Sequence, residues 1–68
     1  MTQYEQLYAL CGGDFPASAT NEHGEPVIIE RGRNDHGAYI RTTTAQHNDW
    51  CRINHYYENG DSEETYEK

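Results

Sequence analysis

Large aliphatic side chains are what this chain most lacks. Its 68 residues include only Leu7, Leu10, Val27, Ile28, Ile29, Ile40 and Ile53, and a chain this short buries a modest fraction of its surface in any case. One domain is the upper bound. Six tyrosines, one tryptophan and one phenylalanine must supply much of the remaining apolar area. Tyr and Trp bring polar groups that need a partner or water. Such a core gains from a staple, a metal or a second subunit, so a homodimer is one expectation, through an edge strand or exposed aromatics.

Local signals order the chain. Thr2-Gln3-Tyr4-Glu5 has the capping-box form, in which the threonine hydroxyl accepts from the backbone N–H three residues on. Tyr4, Leu7, Tyr8, Leu10 and Cys11 follow on one helical stripe, and Gly12-Gly13 supplies the left-handed stop. This predicts a helix over about 3–11. Residues 12–25 carry Asp14, Pro16, Ser18, Asn21 and Gly24 without a period and read as an irregular loop, with Phe15 as an anchor into the core. Strands are expected at Val27 to Arg31, Ala38 to Thr44 and Trp50 to Tyr57, with Gln46 to Asp49 turning the chain between the last two. Asn59-Gly60 is a hairpin signal that places both central residues at positive φ. It predicts a fourth, edge strand over about 62–67, whose charges would guard it against other chains, or else a frayed acidic tail. The expected fold is α+β: one small acidic domain, its N-terminal helix packed on one face of a three- to four-stranded antiparallel β-meander spanning about 27–67.

Alternation assigns the faces. Val27 and Ile29, Ala38, Ile40 and Thr42, and Cys51, Ile53, His55 and Tyr57 are the more apolar sets, so they are expected under the helix, with Cys11 close to Cys51. The opposite face would then gather Tyr39, Arg41, Trp50, Arg52 and Tyr56. Aromatics interleaved with guanidinium groups can hold a nucleobase, a phosphorylated group or a partner's side chains. They also stabilise a sheet with no ligand at all.

Known chemistries find no foothold. His23, His36, His47 and His55, with Cys11 and Cys51, contain no close metal-ligand pair. Cys51 and His55 lie four apart, about 13 Å along a strand at ~3.3 Å per residue, too far for one ion or a thiolate–imidazole pair. Gly12-Gly13 follows a helix, whereas phosphate loops precede one. Neither a metal, a cofactor nor a catalytic residue is expected, and the two cysteines read as two small buried thiols, with a disulfide or a metal role as the alternative. No stretch approaches a membrane span, and no leader pattern opens the chain, so the expected compartment is the cytoplasm.

Charge is the remaining guide. The net charge of −7 is uneven: residues 31–57 sum to +2, whereas residues 58–68, with Glu58, Asp61, Glu63, Glu64 and Glu67 against Lys68, sum to −4. An acidic surface disfavours direct nucleic-acid or anionic-lipid binding. It favours a protein partner with a basic surface, met by those five acids. Small acidic domains without chemistry are typical of phage and mobile-element accessory genes, some of which mimic nucleic-acid charge and inhibit enzymes that handle DNA or RNA. The leading expectation is therefore a protein-binding module of that kind. The aromatic–arginine face, binding a ligand or a single strand, is the alternative, and a structural homodimer is a third reading.

Overall fold

The computed structural model describes residues 2–46 and 49–68. It contains one helix, α1 (Gln3–Cys11), followed by β1 (Ala17–Thr20), β2 (Pro26–Asn34), β3 (Gly37–Ala45), β4 (Cys51–Tyr57) and β5 (Ser62–Glu67). The strands form one antiparallel sheet in the order β1-β2-β3-β4-β5. This is the expected helix-on-meander, with one strand more. The expected turn at Gln46 to Asp49 includes His47 and Asn48, which lie outside the described residues.

The helix begins and ends on the predicted residues. Thr2 Oγ1 accepts from the Glu5 N–H at 3.2 Å, and the hydroxyl donates to the Glu5 carboxylate at 3.1 Å. At the other end Gly12 takes φ 65°, and the N–H groups of Gly12 and Gly13 return to the carbonyls of Ala9 and Tyr8. Glycine adopts this left-handed stop without a Cβ clash.

The extra strand corrects the irregular loop expected over 12–25. β1 is made of Ala17, Ser18, Ala19 and Thr20, side chains too small and too alike to show a period, so only pairing defines it. Its register is Ala17 with Ile29 through Thr20 with Pro26. The connecting turn is held by Asn21, whose side-chain oxygen accepts from the N–H groups of His23 and Glu25. The last hairpin also departs from expectation. Gly60 has φ 100°, but Asn59 stays at negative φ. Asn59 Oδ1 accepts from the Asp61 N–H at 2.9 Å, and the Tyr57 N–H reaches the Asp61 carbonyl, closing a longer loop. An Asx turn of this kind lets Asn serve a hairpin without a left-handed backbone.

The core is small and lies between α1 and the centre of the sheet. Tyr4, Ile29, Ala38 and Ile40 are buried, and Ile40 is fully enclosed. Leu7, Cys11, Phe15, Ala17 and Val27 pack around them, so Phe15 is the anchor the sequence implied. Thr42 and Thr44 continue the buried row along β3.

The register of β4 inverts its expected faces. Ile40 pairs with Tyr56, Thr42 with Asn54 and Thr44 with Arg52, and directly paired residues share a side of the sheet. Arg52, Asn54 and Tyr56 therefore lie on the helix side, while Cys51, Ile53, His55 and Tyr57 lie on the open side with Tyr39, Arg41 and Thr43. The reason is the reach of the helix. Nine residues span about 13.5 Å, roughly half the length of a nine-residue strand. The helix-side position of β4 paired with the enclosed Ile40 is taken by Tyr56, which is half-buried. Arg52 and Asn54 keep partial access to water beyond it. Cys11 and Cys51 consequently occupy opposite faces, and both are free thiols.

Candidate functional site

Acidic side chains run along the β4–β5 hairpin, from the end of the sheet that carries the β2–β3 and β4–β5 turns to the far end of β5, where Glu67 pairs with Cys51. Glu58 and Asp61 sit in the β4–β5 turn, and Glu63, Glu64 and Glu67 lie on β5. All five are exposed, because β5 is the sheet's edge and is solvent-facing at every position. Alternation sends Glu63 and Glu67 to the open face, opposite His55 and Cys51, and Glu64 to the helix side, opposite Asn54. The hairpin thus displays its carboxylates in three directions: outward at the turn and to either side of the strand.

Few of these charges are compensated. Glu64 lies 3.9 Å from Arg52 Nε, an ion pair without a hydrogen bond. Glu63 accepts a hydrogen bond from the Tyr57 hydroxyl at 3.1 Å, which orients the carboxylate without neutralising it. Lys68 Nζ lies over the Trp50 ring, 5.7 Å from its centroid. Edge charges of this sort deter strand pairing, and they also leave a strong negative field for a cationic surface.

Tyr57 is the hinge of this end. It is 5% exposed although it lies on the open face. Its neighbours bury it: Tyr39 and His36 pack edge-on at 6.0 and 5.8 Å, and His55 stacks at 6.4 Å. The hydroxyl accepts from Asn34 Nδ2 at 3.3 Å while donating to Glu63, so one phenol ties the β2–β3 turn to β5. Tyr57→Phe is expected to cost about 1 kcal/mol, the net worth of a hydrogen-bonded hydroxyl whose partners can turn to water. Urea unfolding measures it.

Two shallow depressions flank the hairpin. One, of about 280 Å³, is lined by His36, Tyr57, Asp61, Ser62 and Glu63. The other, of about 380 Å³, is bounded by Tyr4, Glu5, Tyr8, Ala9, Arg31 and Glu58, with the Arg31 guanidinium 5.2 Å above the Tyr8 ring. Sequence reasoning missed His36, Glu5 and Tyr8 as neighbours of the acidic hairpin. The available signal was topological, since alternate turns of a meander lie at the same end.

The aromatic–arginine face expected from Tyr39, Arg41, Trp50, Arg52 and Tyr56 is not assembled. Tyr39 and Arg41 are on the open side, Arg52 and Tyr56 on the helix side, and Trp50 precedes β4. Tyr39 instead packs on His55 at 4.9 Å and covers Gly32, where a Cβ would meet its hydroxyl at 2.6 Å and its ring at 2.7 to 3.1 Å. Arg41 is bound to Glu30 at 2.8 Å. That hydrogen bond is the main cause of a pKa raised above the ordinary arginine value, against the opposing effect of burial. Among the described residues, no three His, Cys, Asp or Glu side chains gather where they could hold a metal ion, and no helix is long and apolar enough to cross a membrane. Comparison with known proteins returns no matching family model, no matching curated protein and no matching solved structure.

Proposed function

We propose that this chain is a small acidic protein-binding module that occupies a basic, nucleic-acid-handling surface of a partner protein. The observation that carries the reading is the β4–β5 hairpin, where Glu58, Asp61, Glu63, Glu64 and Glu67 are all exposed on one edge element. Five exposed carboxylates on one hairpin set up a negative field that attracts a basic groove. The module acts by occupancy and uses no chemistry of its own. As an inhibitor of this type, such as a phage or mobile-element accessory protein, it works in the cytoplasm, where nucleic-acid enzymes are found. The ligand and single-strand reading required five side chains on one face and is not carried further.

Competition tests the proposal. The tagged protein is used to capture partners from a nuclease-treated bacterial lysate, and a short DNA duplex or heparin is then added. The expected result is release of the captured protein, because polyanion and hairpin contend for one basic surface. Retention of the captured protein with the duplex bound beside it contradicts the shared-surface mechanism, and capture of nothing contradicts partner binding.

A further inference from the structure

We infer that the open face of the sheet is a self-association surface, on which a second copy of this chain packs face to face. The helix covers one side only, and among the described residues no element covers the other side of the five strands. Across its middle runs a row of Ile28, Thr43, Ile53 and Thr65, one from each of β2 to β5, and Ile28 is 45% exposed. The next row is Glu30, Arg41, His55 and Glu63. Five strands ~4.8 Å apart, two of nine residues and three shorter, make a face of roughly 550 Å², so that two copies together bury about 1,100 Å², just above the ~1,000 Å² a specific interface needs.

Charge selects the occupant. A second copy carries the same net charge of −7, so two copies can meet only where neither presents uncompensated charge. The centre of this face meets that condition: Glu30 and Arg41 neutralise each other at 2.8 Å, and Ile28, Tyr39, Thr43, Cys51 and Ile53 are uncharged. Glu63 and Glu67 stand only at the β5 rim. A two-fold axis along β3 places Ile28 of each copy opposite Ile53 of the other, and Glu30 opposite His55. It also sets the acidic β5 rim over β1, whose open-face residues are Ser18 and Thr20. A basic partner would find no free carboxylate at this centre, whereas it finds five at the hairpin. The inference stands apart from the proposed partner binding; the two surfaces share only Glu63 and Glu67, at the β5 rim.

Sedimentation equilibrium over roughly 10 μM to 1 mM protein tests it. The expected mass is twice the 7.9 kDa of the chain, and added salt leaves it unchanged or strengthens association by screening the mutual repulsion. A basic partner would respond to salt in the opposite direction. Ile53→Glu and Ile28→Glu each bury a charge at the symmetric contact and are expected to weaken association at least about a hundredfold. Leu10→Glu, at a helix position that is 73% exposed, is expected to leave it intact. If Ile53→Glu fails to fold, Ile28→Glu decides, because that side chain is already open to solvent. A 7.9 kDa species throughout the range, or an Ile28→Glu variant as dimeric as the parent, overturns the inference.

Discussion

Ile40→Ala is expected to remove a large part of the fold's total stability. Ile40 is the one fully enclosed large side chain among the described residues, held between Tyr4, Ile29 and Ala38. Truncating a buried isoleucine costs roughly 2–5 kcal/mol, part in lost transfer energy and part in the cavity left behind. A domain of this size has a total stability of only about 3–10 kcal/mol. The single helix and the meander share this one cluster, so the loss is not local. Urea titration followed by circular dichroism checks it, with Ile28→Ala as reference. Ile28 is on the open face, and its truncation is expected to cost under about 1 kcal/mol in the isolated chain. Equal costs at the two positions would place the core elsewhere.

The second large effect concerns binding. Replacing Glu63 and Glu64 together by lysine changes the net charge from −7 to −3, since each substitution adds two units. It puts a positive charge on each side of the edge strand. Affinity for a basic partner is expected to fall at least about a hundredfold at low salt, because two attractions become like-charge contacts. The fold should survive: β5 is exposed throughout, and among the described residues the change removes the Tyr57–Glu63 hydrogen bond and the loose Arg52–Glu64 pair. Asp14→Lys with Glu22→Lys makes the same change of net charge at exposed positions away from the hairpin. That control is expected to lose only a few-fold, through the long-range field. Equal losses in the two variants would mean that net charge, and no particular surface, governs association.

Much of the architecture was legible because each element carried a local signal. Thr2 with Glu5 opened the helix, Gly12 closed it, and Asn59-Gly60 announced the edge strand. β1 was not legible, since Ala17, Ser18, Ala19 and Thr20 become a strand only by pairing with β2. The faces of β4 were misread for a related reason. Apolar and polar residues occur at both parities along Cys51–Tyr57, so alternation cannot choose between them. The choice was made by tertiary contacts: Tyr56 paired with Ile40 on the helix side, and Tyr57 against Tyr39, His36 and His55 on the other side. That inversion removed the aromatic–arginine surface and revealed an aromatic cluster whose hydroxyl holds one of the acidic residues. The acidic hairpin itself was readable from composition alone, as the run of charge after Glu58. Its neighbours Glu5, Tyr8 and His36 come from distant parts of the chain and required the fold.

The most direct test of the central claim is a salt-stepped capture from nuclease-treated lysate, run in parallel with the parent protein, the Glu63→Lys/Glu64→Lys variant and the Asp14→Lys/Glu22→Lys control. The account predicts a protein held by the parent and the control, missing from the hairpin variant, and released as the screening length shrinks from about 10 Å at 0.1 M to about 3 Å at 1 M salt. The same proteins held by all three, or a captured protein that high salt does not release, would contradict it.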